Sequence, residues 1–400
     1  MKEKKELDPI TFGVIANRFD SITRTMLNTM QRTARTTALS VARDFSASIL
    51  TPQADLVFIA EGIPIHVMTS HWAVKPVLEL FDDIAPGDLY INNAPYWGNS
   101  HHGDYTHFVP VFNEGKLVVW LVLRVHQGDC GCAEPTSYLP WAPDLYWEGI
   151  HWPVVRFQRD CKDVKDVIRI ARERIRAPDL WYGNYLATVG GLRVGEREII
   201  KLCQRFDNDV VEQFLDQWLD YGDRRMEQEI RSLPKGTWVA TTKTDPQPYA
   251  PEGIPLKMTL TIDPDDAKII VDLRDNPDQV PGGINLTHAN SAGTTLAGIF
   301  FCLDNTIPHN TGAYRHIEVL LREGCICGIP IHPAGTSTAT TYIAERCANL
   351  SLNCMAQAAP HKGAAEGPFI DRGIDVISGY DHRYENRYYI QHILSSYGGG

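Results

Sequence analysis

The densest group of residues able to do chemistry is Asn99-Ser-His-His-Gly-Asp104, with Tyr105-Thr-His107 after it and Val125-His-Gln-Gly-Asp-Cys-Gly131 further on. His101 and Asp104 stand three apart in a loop, and His126 closes the long apolar run Leu117 to Val125. Phe108 to Phe112 and that run flank Asn113-Glu-Gly-Lys116, whose composition is that of a hairpin loop. The two arms of a hairpin are antiparallel, so the chain before Phe108 lies beside the chain after Val125. His101, Asp104 and His126 can then meet at one end of a sheet. Imidazoles and a carboxylate on a rigid sheet edge suit a divalent ion such as Zn, Mn or Fe. Asp44, opening the strand-like run Asp44 to Leu50, could complete the set. The competing reading is a solvated polar loop, and no His-Glu-x-x-His helix is present to strengthen the case for zinc.

Other chemistry is thinner. Cys130-Gly-Cys132 and Cys325-Ile-Cys327 could together make a four-thiolate zinc site, but the usual spacing puts two residues between the thiols. Buried reduced thiols are the simpler reading. Cys130 beside His126 could be a nucleophile only with a depressed thiol pKa. Gly190-Gly191 and Gly282-Gly283 match neither a P-loop nor a Gly-x-Gly-x-x-Gly turn, so ATP, if used, belongs to another subunit. Tyr138, Trp141, Tyr146, Trp147 and Trp152 crowd a Pro-rich irregular segment after the His/Asp cluster. They could wall a pocket for an apolar or aromatic ligand, or pack against another subunit.

The elements that must position these residues follow from periodicity. Asp8 caps a helix begun by Pro9, with Phe12, Ile15, Phe19, Ile22, Met26 and Met30 as its apolar stripe. Asp44 to Leu50 and Leu56 to Ile59 read as a hairpin, Trp72 to Leu80 as a short helix, and Asp88 to Asn92 as a strand. Asp163 to Leu233 is helical, with Val211, Phe214, Leu215, Trp218 and Leu219 as one stripe. Thr237 to Thr242, Leu256 to Ile262 and Lys268 to Leu273 are strands, with the Pro-rich Thr244 to Pro255 as a boundary between units. Helices follow at Ala292 to Leu303 and Thr341 to Ala356. The expected class is α+β, mixed and multi-domain, with antiparallel hairpins around a helical middle. The expected divisions are an N-terminal α+β region carrying the metal site over 1–160, a helical segment over 161–235, and a second α+β region over 236–400. The run Tyr388 to Leu394 followed by Ser395-Ser-Tyr-Gly-Gly-Gly400 reads as a chain cut within a domain as readily as a natural end.

Length and charge bound the function. Four hundred residues suit two or three domains. Lys and Arg number 38 against 49 Asp and Glu, a net charge of −11, which disfavours nucleic acid as a partner. No apolar run reaches the 18 or so residues of a membrane span, and Met1 to Asp8 lacks the apolar core of a signal peptide. Nine cysteines without such a signal read as reduced thiols of a cytoplasmic protein.

Several blocks, taken in order, resemble the hydantoinase B/oxoprolinase family: Arg43-Asp-Phe-Ser46, Ala60-Glu-Gly-Ile-Pro-Ile-His66, Pro86-Gly-Asp88, Asn93-Ala-Pro-Tyr96, His101-His-Gly-Asp104, His126-Gln-Gly-Asp129, Arg193-Val-Gly-Glu-Arg197 and Gln279 to Asn285. The likeness runs from about Asp8 to the end. Phe157-Gln-Arg-Asp160, Arg174 to Asp179 and Trp181-Tyr-Gly183 look most like the large subunits of ATP-dependent acetone and acetophenone carboxylases. Members of the family usually run well beyond this length. The resemblance implies a metal (Zn or Mn) on Asp44, His101, Asp104 and His126, the set the hairpin argument reaches. It implies a hydantoinase A-like partner that binds ATP with Mg, and a small third subunit. The family usually has Asp where this chain has Ala94, which puts substrate or activity in doubt.

The expected reaction is carboxylation of a ketone with bicarbonate, the metal stabilising an enolate and ATP being used on the partner. Asp129 and His66 are the candidate bases by family position, and the aromatic segment favours an aryl ketone. Two alternatives stand beside it: ATP-dependent opening of a hydantoin, 5-oxoproline or lactam, and a non-catalytic scaffold subunit, for which Ala94 speaks. Because no phosphate-binding loop is visible and the chain is acidic, the chain alone should neither bind nor hydrolyse ATP. Calorimetric titration of the isolated chain should show no heat of binding, and tight binding would refute this division of labour.

Overall fold

The structure is a computed structural model and describes residues 6–62, 66, 69–365 and 374–394. Strands β1 (Phe45–Leu50), β2 (Leu56–Glu61), β3 (Leu89–Asn92), β4 (Asp104–Asn113), β5 (Lys116–His126), β6 (Val155–Arg159) and β7 (Lys162–Asp163) form one sheet in the order β2-β1-β5-β4-β3-β6-β7. Every neighbouring pair is antiparallel. Glu114 and Gly115 make the turn from β4 to β5, both at positive φ (52° and 78°). A two-residue turn of this kind matches strand twist and sets register. The register pairs Asp104 with His126.

The middle strands are buried on both faces. Val119, Leu121, Leu123 and Val125 of β5 enter a core shared with α1 (Pro9–Thr33) and with α3 (Pro178–Phe206), which follows the short α2 (Lys165–Arg174). Trp120 and Val122 point the other way, into a cluster with Leu50, Leu56, Tyr90 and Phe108. Period-2 alternation puts Asp104 and His126 on this second face, with Arg124. Arg124 is buried, its Nε 2.9 Å from Thr106 Oγ1 and its Nη1 2.6 Å from Thr69 Oγ1.

Asp8 caps α1, its Oδ1 accepting from the N–H of Ile10 and Thr11. The helices of 161–235 share the core of the first sheet rather than forming a layer of their own. The last turns of α4 (Asn208–Arg231) bring Met226 and Ile230 into a second core. There β8 (Gly236–Lys243), β9 (Pro255–Asp263), β10 (Lys268–Asp272) and β11 (Ile317–Leu320) lie in the order β11-β10-β9-β8, parallel only between β10 and β11. Helix α5 (His288–Phe300) packs on α6 (Tyr342–Ala358), and α6 on β8 and β9. A hairpin of β12 (Ile374–Asp381) and β13 (Arg387–Leu394) completes the described fold.

This is the expected α+β, multi-domain class, with antiparallel hairpins. Particular elements differ. Thr244 to Pro255 is no boundary between units, because β8 and β9 on either side pair with each other. Pro76 lies between two short helical turns, Ser70–Val74 and Val77–Leu80, where one helix was expected. The final residues 395–400 lie outside the described residues. No described helix is long and apolar enough to cross a membrane.

Gly190 and Gly191 lie inside α3, and only Gly191 is packed against a neighbouring helix. A Cβ on Gly191 would lie 2.7 Å from the Met26 carbonyl oxygen of α1, whereas one on Gly190 would meet nothing within 4 Å. Gly191→Ala should therefore destabilise by about 1–3 kcal/mol through overpacking. Gly190→Ala should stabilise by up to about 1 kcal/mol through helix propensity. Thermal melts of the two variants should move in opposite directions.

Candidate metal centre

Three adjacent strands end together at the site. His126 closes β5, Asp104 opens β4 beside it, and Asp44 precedes β1, its carbonyl accepting from the His126 N–H at 3.0 Å. His126 Nδ1 is 3.1 Å from Asp104 Oδ1 and 3.7 Å from Asp44 Oδ2. His101 Nε2 is 3.2 Å from Asp104 Oδ1. His66 joins them, Nε2 3.1 Å from Asp104 Oδ2 and 3.7 Å from Asp44 Oδ1. All five side chains are buried.

The loop that carries His101 is held from both sides. Asn99 Nδ2 donates to the carbonyls of His101 (2.6 Å) and Asp104 (2.8 Å). From the second region, Thr287 Oγ1 and Asn290 Nδ2 donate to the Ser100 carbonyl at 2.7 and 3.1 Å. Ser100 Oγ donates to Asp104 Oδ2 at 2.6 Å. Gly103 leaves no room for a side chain: a Cβ there would lie 2.6 Å from His101 Cε1 and 2.8 Å from His126 Cε1.

The outer hydrogen bonds fix which ring nitrogens face inward. His101 Nδ1 is 2.7 Å from the Ser337 carbonyl, so Nδ1 carries the proton and Nε2 turns its lone pair to the carboxylates. His126 Nε2 lies 2.9 Å from Ser137 Oγ, a hydroxyl able to donate or accept, and its Nδ1 faces inward, hydrogen-bonded to Asp104 Oδ1 at 3.1 Å. His101 Nε2 has no hydrogen-bond partner. The bare Nε2 of His101, 3.2 Å from a buried carboxylate oxygen, is repelled by it unless a cation lies between them, so the donor set fits a divalent metal ion. Electrostatics agree. Burial, then the Asp104 charge, pushes the Asp44 carboxyl well above its usual range. Burial pushes Asp104 up too, but His101 and His66 outweigh it and hold it well below. Burial lowers His126 against the pull of Asp104.

Of the aromatics expected to wall a pocket, only Tyr138 reaches the centre, its ring stacked on His126 at 5.0 Å and tilted on His101 at 5.7 Å. Trp141, Tyr146 and Trp147 turn outward, 52%, 71% and 46% exposed. Trp152 is buried in the core against Phe157. The aromatic wall is thus not assembled, because the Pro-rich segment directs these rings away from the centre. Asp129 does not join the site either. Its oxygens accept from the Arg176 N–H and guanidinium (2.6 and 3.1 Å) and from the Gly131 N–H (2.9 Å).

The thiols are free, and Cys130-Gly-Cys132 and Cys325-Ile-Cys327 lie in different cores. Burial pushes the Cys130 thiol well up, which removes it as a nucleophile. Sequence reasoning missed Ser137, Ser337 and His392. His392 Nε2 is 3.4 Å from Ser137 Oγ, and its ring lies 5.4 Å from that of His126. Burial, then His126 and His101, lowers its pKa to about 3. Its only sequence signal was the strand pattern of Tyr388 to Leu394.

A family model described as Hydantoinase B/oxoprolinase matches residues 8–400. The chain belongs to that family. Caprolactamase subunit beta of Pseudomonas jessenii is 30% identical over 392 residues, covering 98% of this chain and 66% of that protein. The crystal structure of the ATP-dependent caprolactamase of that organism superposes with a TM-score of 0.89 at 29% identity, over 97% of this chain and 66% of the other. The acetophenone carboxylase delta subunit of Aromatoleum aromaticum is 26% identical over 316 residues, 78% of this chain and 46% of that protein. This member of the hydantoinase B/oxoprolinase family therefore spans about two thirds or less of these relatives' length. Their names cover both hydrolytic and carboxylating enzymes.

His101→Ala and His126→Ala should each abolish metal binding at this centre and leave the far-ultraviolet dichroism unchanged. Gly103→Ala should weaken retention at least tenfold by pushing the two rings apart. Mass-spectrometric metal analysis after dialysis against a chelator checks all three, and unchanged content in the histidine variants would remove the assignment.

Proposed function

We propose that this chain is the metal-binding subunit of an ATP-dependent enzyme that opens a cyclic amide, such as a lactam, a hydantoin or 5-oxoproline. The observation that carries this reading is the likeness to caprolactamase subunit beta along nearly the whole chain, in sequence and in fold. The support for an aryl ketone has weakened, since Trp141, Tyr146 and Trp147 face solvent.

Asp44, His101, Asp104 and His126 would hold a divalent ion, Zn or Mn. When bound, such an ion supplies Lewis-acid polarisation of a carbonyl and acidifies water. The chain's own groups do the rest. Asp104 accepts the His66 Nε2–H at 3.1 Å and thereby orients that ring. His66 Nδ1 is buried and without a partner among the described residues, which leaves it free to take a proton. This keeps His66 as the base and drops Asp129. The Tyr138 ring covers the faces of His126 and His101 and excludes water from that side. An unstrained amide is a poor electrophile, so coupling to ATP on a hydantoinase A-like partner, with Mg, supplies the driving force. A small third subunit belongs to the carboxylase reading.

That second reading, ketone carboxylation with bicarbonate, is favoured by the likeness to the acetophenone carboxylase delta subunit. The test gives the assembled complex ATP, isotope-labelled bicarbonate and, in turn, lactams, hydantoin, 5-oxoproline, acetone and acetophenone. We expect ring-opened amino acid with ADP and no label in the product. Labelled β-keto acid from a ketone, with no amide opened, would replace the first reading by the second.

A further inference from the structure

A second cluster of buried donors lies beside the first and takes no part in it. His102 and Glu148 are fully buried, and the His151 side chain is 15% exposed. His102 Nδ1 lies 3.7 Å from Glu148 Oε2, and His151 Nε2 lies 4.0 Å from the same oxygen. The three ligand atoms all fall within 4.8 Å of one another. His102 Nδ1 and His151 Nε2 are buried with no hydrogen-bond partner.

The surroundings set the protonation of His102. The Cys132 thiol donates to the Glu148 carbonyl at 3.1 Å, so its one proton is used. His102 Nε2, 3.4 Å from that sulfur, must then be the donor to it. Nδ1 is left bare and directed at a carboxylate oxygen. That oxygen has only the Thr336 hydroxyl at 3.5 Å, since the other carboxylate oxygen accepts the Thr336 and Ser337 N–H groups at 2.5 and 2.6 Å. The bare Nδ1 of His102, the partnerless Nε2 of His151 and a Glu148 oxygen thus face one another, and because burial pushes the Glu148 pKa up to about 8, a cation that binds there displaces its proton. A proton shared across 3.7 Å is too far for a hydrogen bond.

We propose that His102 Nδ1, Glu148 Oε2 and His151 Nε2 bind a second divalent transition-metal ion, of the zinc class. Two of the separations are 3.7 and 4.0 Å and the third is within 4.8 Å, so a point equidistant from the three atoms lies no more than about 2.5 Å from each, near zinc–nitrogen and zinc–oxygen bond lengths of roughly 2.0–2.2 Å. The two centres share no ligand: neighbouring His101 and His102 serve one each, their rings 5.8 Å apart. Glu148 links them, because it holds the Ser337 N–H while the Ser337 carbonyl fixes the tautomer of His101. The second ion would therefore hold the strap on which the first centre rests. The inference is independent of which reaction the enzyme performs.

The test counts metal on the full chain. Chelator-stripped protein is dialysed against zinc, and bound zinc is measured for the natural chain, His151→Ala, His151→Asn and His101→Ala. We expect two equivalents on the natural chain and one on each single variant. Cobalt in place of zinc should give visible absorption bands of which the His151 and His101 variants lose different components. The proposal is overturned if the natural chain binds one ion that His101→Ala alone removes, or if folded His151→Ala and His151→Asn, judged by thermal melts, still bind two.

Discussion

The pairing of Asp104 with His126 across β4 and β5 is the constraint on which the candidate centre depends. Strand side chains alternate, so a one-residue slip of either strand would turn its group to the opposite face, toward the apolar helices. The turn at Glu114 and Gly115 guards against that slip, and so does the apolar alternation of β5, with Leu121 and Leu123 on one face and Trp120 and Val122 on the other. β1 then adds Asp44 through its own register, Phe45 opposite Val125. Three strand ends bring two carboxylates and an imidazole together before any loop contributes.

The loops bring His101 to those groups, and they need the second region to do it. The His101 loop is clamped by Thr287 and Asn290 at the start of α5 and by the carbonyl of Ser337. Asn290 Nδ2 also donates to the Ala339 carbonyl at 2.9 Å, which ties the two clamps to each other. The centre is therefore built at the contact between the two regions.

The hairpin and the His-x-x-Asp spacing were legible because both are local: turn composition fixes the register, and the register fixes the convergence. His66, named from family position, also reaches the carboxylates. What was not legible depends on side-chain direction or on distant contacts. Asp129 is three residues past His126 but turns to Arg176. Trp141 and Trp147 follow the site in sequence yet face solvent, since nothing in a Pro-rich stretch says where its rings point. Ser337 and His392 lie more than two hundred residues from the histidines they serve, and no spacing rule reaches that far. Val155 to Asp163 and Ile317 to Leu320 were missed as strands because they are short edge or near-edge elements with weak alternation.

The state of the imidazoles bears on whether the centre is vestigial. Ala94, the residue that raised that question, sits buried at the start of a short turn, its N–H 3.0 Å from Asn92 Oδ1. It is not among the groups that converge on the centre. A site released from selection for metal binding has no reason to keep its outer hydrogen bonds, because they add little to folding that a simpler side chain could not supply. Here those bonds are intact. Ser337 takes the outer proton of His101 and the Ser137 hydroxyl bonds the outer nitrogen of His126, while Ser100 and His66 both donate to Asp104. The Ser337 bond leaves the His101 lone pair directed inward, where without a cation it is a cost. The arrangement, down to the missing side chain at Gly103, leaves the candidate centre with a donor set of the kind a divalent ion takes.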